Sequence, residues 1–126
     1  MSKEILAKVA GIYDDGYCTT VSFANDPDNP TDYLILQATN YPSKQDIDLG
    51  QDGIHMQIND QQNGGYNCIN SIIIADKLIY INLFSDVSEK QKIEQEIVIK
   101  LLTPEEDIKT IKAGLEAMIR RLKAIS

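Results

Sequence analysis

The chain is short of several residues on which whole classes of protein depend. It has two cysteines, Cys18 and Cys68, in 126 residues, too few for a disulfide scaffold. It has one histidine, His55, and histidine is the commonest general base. No unbroken apolar run exceeds four residues, as in Ile72-Ile73-Ile74-Ala75, far below the ~20 needed to span a bilayer. The start, MSKEILAKVAG, has no apolar signal core, so secretion by that route is not expected. Positive charge is also scarce. Twelve bases stand against nineteen acids, a net charge of −7, and the pI is near 4.6. That balance argues against nucleic acid as a direct partner and against an anionic membrane surface, since both need a basic face. A cytoplasmic location is the expectation.

What is present suits a folded domain. Hydrophobic residues are 43% and charged residues 25%, ordinary for a globular chain, and residues 1–126 read as one domain. The charge is uneven. From Ala10 to Asp76 there are ten acids, all aspartate, against Lys44 alone, so that stretch carries −9. Aspartate favours turns because its short carboxylate bonds nearby amides, which places the negative charge in loops.

The pattern predicts an α+β fold: about seven strands over residues 4–102, mostly antiparallel, with one amphipathic helix over 104–125 packed on the sheet. Residues 4–13 read as one strand with Ile5, Ala7 and Val9 on one side. Asp14-Asp15-Gly16 turns it into a second, residues 17–24, whose Tyr17, Thr19, Val21 and Phe23 share a core-side face. Residues 25–32 hold two prolines and several Asx residues, all turn chemistry. Residues 33–38 are apolar on both faces, a central strand covered on both sides. A polar loop is expected over 39–53. Ile54, Met56 and Ile58 then alternate with His55, Gln57 and Asn59. Residues 61–65 read as a loop with Asn63-Gly64 as its hairpin signal. Strands over 69–75 and 78–84 follow, a break at 85–88, and a last strand over 91–102.

The C-terminus changes period. Thr103-Pro104-Glu105-Glu106 reads as a capping box, the threonine hydroxyl accepting from the Glu106 amide. Ile108, Ile111, Leu115, Met118, Leu122 and Ile125 recur at spacings of three and four, one apolar stripe.

Catalytic and metal chemistry find little support. His55 lies on the polar side of its strand, and no local signature pairs it with Cys18 or Cys68. Residues 46–53 (DIDLGQDG) resemble a calcium loop, but starting from Asp48 the third position is Gly50 and the twelfth Asn59, which fails the register. Gly64-Gly65 lacks the Lys-Ser/Thr of a phosphate loop. No catalytic residue, metal or cofactor is assigned. A recognition surface remains. Loops 25–32, 39–53 and 60–67 carry Asp26, Asp28, Asp32, Asp46, Asp48, Asp52 and Asp60, together with Tyr41 and Tyr66. Acids beside tyrosines suit a basic protein partner.

Three blocks carry a resemblance. They are residues 21–37 (VSFANDPDNPTDYLILQ), 45–53 (QDIDLGQDG) and 58–66 (INDQQNGGY), followed by the hydrophobic strands to Leu83. In this order they resemble the immunity protein 10 family of bacterial polymorphic toxin systems, over roughly residues 19–102. His55 stands where the family pattern has a tyrosine or an aliphatic residue. The resemblance implies a non-enzymatic antidote that binds a toxin domain, often a nuclease, and occludes it stoichiometrically. The partner-binding residues would be the seven aspartates and two tyrosines just named. A secretion chaperone for an effector protein is the competing class, with the helix stripe as its groove or dimer face. Monomer and homodimer both stay open.

Overall fold

The computed structural model describes residues 2–41, 43–49 and 53–125, with side chains for all of these except 60–63 and 121–125. The fold is α+β, with nine strands among the described residues arranged in two sheets. β1 (Ser2–Ala7), β7 (Ile69–Ala75), β8 (Leu78–Leu83) and β9 (Glu96–Leu101) form a four-stranded sheet in the order β1-β9-β8-β7. β1 runs parallel to β9, and the other pairs are antiparallel. β2 (Val9–Asp14), β3 (Cys18–Ala24), β4 (Tyr33–Thr39), β5 (Ile54–Ile58) and β6 (Asp60–Tyr66) form a five-stranded antiparallel sheet in sequence order. The inner faces of both sheets and the stripe of the C-terminal helix α3 (Glu105–Ile125) share one core.

Residues 4–13 are not one strand. The Lys8 amide donates to the Leu6 carbonyl, and this tight turn carries the chain from one sheet into the other. The inward positions change parity there. Ile5 and Ala7 are buried in the first sheet, while Ala10 and Ile12 pack against the core from the second. Val9, expected inside, is 37% exposed.

β4 occupies the centre of its sheet, as expected, but it is covered on one side only. Leu34, Leu36 and Ala38 are buried, whereas Tyr33 and Ile35 are half-buried and Gln37 is exposed. The other strands repeat this one-sidedness, with Val21 and Phe23 inward on β3 and Ile54, Met56 and Ile58 inward on β5. Tyr17, expected on the core face, precedes β3 and is 78% exposed.

Short elements replace several expected loops. α1 (Lys44–Asp48) lies within the 39–53 connection, started by a capping box in which Ser43 and Asp46 each bond the other's amide. α2 (Ser85–Gln91) fills the expected break, and Lys92, at φ 55°, ends it. Residues 61–65 belong to β6, and its turn lies at Asn59, φ 52°, rather than at Asn63-Gly64. The expected cap of α3 is absent. Among the described residues the buried Thr103 hydroxyl has no partner, and the Asp107 and Ile108 amides donate to the Pro104 carbonyl.

Ile108, Ile111, Leu115 and Met118 of α3 are buried where the helix packs on β2, β3 and β5 of the five-stranded sheet and on β7 of the four-stranded one. Leu122 and Ile125 lie outside the described side chains. Gly114 lets the helix approach closely, since a Cβ there would overlap Cδ1 of Ile12.

Candidate functional site

Antiparallel strands send alternate connections to opposite ends of a sheet. The turn between β2 and β3 and the connection from β4 to β5 therefore share one end of the five-stranded sheet, while the β3–β4 loop and the β5–β6 turn share the other. The strands between them span about 20 Å. The aspartates and tyrosines singled out from the sequence thus fall into two groups.

At the first end stand Tyr41, Asp46, Asp48 and Tyr66. Tyr41 is 82% exposed. Asp46 is engaged in the cap of α1. Asp48 is exposed, and its carboxylate has no partner among the described residues. Tyr66 packs edge-on against His55, its cross-strand neighbour, with centroids 4.9 Å apart. Asp52 lies outside the described residues. Two acids outside the loops singled out from the sequence, Asp14 and Asp15, join this group. Asp14 Oδ1 accepts from the Gly16 amide at 2.9 Å and from Asn40 Nδ2 at 2.8 Å. Asp15 Oδ1 accepts from the amides of Tyr17 and Cys18 at 2.9 and 2.8 Å. The Asp-Asp-Gly turn was legible in the sequence, but its position beside the 39–53 connection is set by the Asn40 amide donating to the Tyr17 carbonyl.

At the second end stand Asp26, Asp28, Asp32 and Asp60. Asn25 organises this loop by accepting from the amides of Thr31 and Asp32. Asp26 accepts from the amides of Asp28 and Asn29. Asp32 pairs with Lys3 at 3.0 Å and accepts from Asn59 Nδ2, while Asn59 Oδ1 accepts from the Tyr33 amide. Asp32 therefore ties the loop to β1 and to the β5–β6 turn. Asp28 is exposed and makes no ion pair or side-chain hydrogen bond among the described residues. The side chain of Asp60 lies outside the described residues. The aspartates thus divide by job: Asp14, Asp15, Asp26, Asp32 and Asp46 hold backbone or neighbours, while Asp28 and Asp48 are left to solvent.

The turn amides hold the carboxyls of Asp14, Asp15 and Asp26 below the ordinary 3.8, with Asn40 assisting at Asp14. A carboxyl with a lowered folded pKa stabilises the fold above its unfolded pKa and loses that contribution as pH falls through the folded value. Melting temperature is accordingly expected to hold from neutrality to about pH 4 and to fall below it. The variant with Asn at positions 14, 15 and 26 should show a shallower acid limb, read by thermal melts between pH 2 and 7.

Other chemistry is sparse. A cleft of about 190 Å³ between α3 and the sheet is lined by Ile12, Ala38 and Met118 together with Asp14, Thr19 and Asn40. Those polar groups are bonded to one another, Thr19 Oγ1 donating to Asn40 Oδ1 at 2.6 Å. Cys68 is buried, and burial pushes its thiol up, away from the reactive thiolate. Among the described residues no three His, Cys, Asp or Glu side chains are grouped to hold a metal ion. No helix there is long and apolar enough to cross a membrane.

These features define an α+β protein with exposed carboxylates and tyrosines at the ends of an open sheet. Residues 6–109 match the Immunity protein 10 family, and the chain belongs to that family. Membership makes it an immunity protein with a toxin as its partner, in a class that is generally non-enzymatic. A comparison with curated proteins gives no match.

Proposed function

We propose that this protein neutralises its cognate toxin by binding it in a stoichiometric complex through its acidic surface, and that the toxin is a nuclease. Family membership carries the reading. The −9 charge between Ala10 and Asp76 supports it. A nuclease must attract phosphate and is basic where it does so. An acidic partner is steered to that surface and sits where the substrate would. Asp28 and Asp48 are the carboxylates best suited to steering, because neither is spent on the fold. The stripe a chaperone would offer as a groove is already used internally, since Ile108, Ile111, Leu115 and Met118 are buried in the chain's own core.

Reversing Asp28→Lys and Asp48→Lys together is expected to slow association with the toxin about 10-fold at low salt, with little effect on melting temperature. Co-expression with the product of the neighbouring gene, as the candidate toxin, tests the biological consequence. The wild-type chain should protect the cells, and the double variant should protect less. Full protection by the variant together with unchanged association kinetics would remove the acidic surface from the mechanism.

A further inference from the structure

The outer face of the five-stranded sheet has a composition unlike the rest of the molecule. Cross-strand register places Tyr13, Thr20, Gln37, His55 and Tyr66 in one row across all five strands. The neighbouring row runs through Gly11, Ser22, Ile35, Gln57 and Gly64. None of these residues is buried, and Tyr13 is 69% exposed. In a chain that is 25% charged, neither row contains an Asp, Glu, Lys or Arg. Both ends of the face, by contrast, carry aspartates: Asp14, Asp15 and Asp48 at one, Asp26 and Asp28 at the other.

We propose that this open face is the docking surface for the toxin, seating its uncharged, tyrosine-bearing centre on the toxin domain while the two acidic ends meet basic side chains about 20 Å apart on that domain. The proposal rests on the immunity reading above and locates its interface. An uncharged centre with aromatic residues inside a charged rim is the usual anatomy of a protein interface. Five strands at ~4.8 Å spacing make a patch about 20 Å across, which with its flanking turns approaches the ~800 Å² per partner of a standard interface. The edge-on packing of His55 against Tyr66 holds part of the row in place before binding, which lowers the ordering cost of association. The outer face of the four-stranded sheet is the rival surface. It exposes Leu6 and Ile73, but Glu4, Glu96 and Lys100 stand among them, so this face has charges of both signs across its centre where the five-stranded face has none.

The test uses the full chain and the candidate toxin domain from the neighbouring gene, inactivated so that it can be purified. Gln37→Arg and, separately, Thr20→Arg place a cation at the centre of the face on outward-pointing side chains. Each should weaken binding about 100-fold or more, because like charges are brought together at the interface, with melting temperature kept as the folding control. Amide NMR on the wild-type chain provides a readout that needs no variant. Addition of toxin should shift Thr20, Gln37 and Gln57 and leave Ile73 and Tyr80 of the rival face unmoved. Tight wild-type binding with unchanged affinity in folded Arg variants, or shifts confined to the rival face, would overturn the docking surface and leave the immunity reading standing. Absence of binding by the wild-type chain would overturn that reading and the docking surface with it.

Discussion

Gly64→Ala is expected to destabilise the protein by more than about 3 kcal/mol, the sum of backbone strain and an overlap that cannot relax. Gly64 sits at φ +127°, where an L side chain is strained. A Cβ there would overlap the Met56 carbonyl oxygen and lie 2.8 Å from its carbon and 3.1 Å from Gln57 Cα. All three are backbone atoms of the paired strand, so no rotamer change makes room. The position is also clamped from the other side. The Gly64 amide donates to Gln91 Oε1 at 2.6 Å, and Gln91 Nε2 donates to the Gly64 carbonyl at 2.9 Å. The amide side chain thus pairs with Gly64 as a neighbouring peptide would, and it joins α2 to the edge strand β6. Gly65 offers the contrast. It has a similar φ of +129°, but its Cβ would meet only Cys68 Sγ at 3.9 Å, so Gly65→Ala should cost the strain alone, about 1–3 kcal/mol. Urea unfolding of the two variants measures the difference. Equal costs would show that β6 is not pressed against β5 as described.

The second large effect concerns the one-sided burial of β4. Leu36→Ala is expected to cost about 3–5 kcal/mol. Leu36 is fully buried between Val21 and Met56 of the flanking strands, which are fixed by their own ladders and close poorly over a cavity. Ile35→Ala, one residue earlier on the half-buried outer face, should cost about 1 kcal/mol or less, because the outer side chain excludes less water from its neighbours. The proposed docking face depends on this asymmetry. Comparable costs at Ile35 and Leu36 would mean that another layer covers the outer face, leaving nothing there to dock.

Much of the fold was legible in the sequence, for local reasons. Alternation located the inward residues of β3 and β5, and a 3.6-residue period located α3. The strand break at Lys8 was visible as well, in the parity change from Ile5 and Ala7 to Ala10 and Ile12. Val9 masks it by continuing the first phase. Residues 61–65 read as a loop because strand β6 is amide- and glycine-rich, and its pairing is supplied by β5 and by Gln91, neither of which is near in sequence. The Thr103 cap failed for the converse reason. Its local motif is intact, but among the described residues the buried hydroxyl has no partner.

The candidate site was legible in its residue types and not in its geometry. Asp15, Asp26, Asp28 and Asp32 lie in turns as their residue type signals, whereas Asp46 and Asp48 lie in α1 and Asp60 begins β6; the sequence offered no means of separating Asp26 and Asp32, which hold the second end together, from Asp28, which does not. Nor did it show that the named loops stand at opposite ends of a sheet. Only the register revealed the uncharged face between them, because its rows draw single residues from five strands.

Titration of the toxin's activity against the purified protein tests the central claim most directly. Stoichiometric occlusion predicts that inhibition rises linearly and is complete at one equivalent, with the toxin recovered active after the complex is dissociated. Complete inhibition far below one equivalent, or a toxin left inactive after dissociation, would mean that the protein acts as a catalyst on its target and would contradict the account.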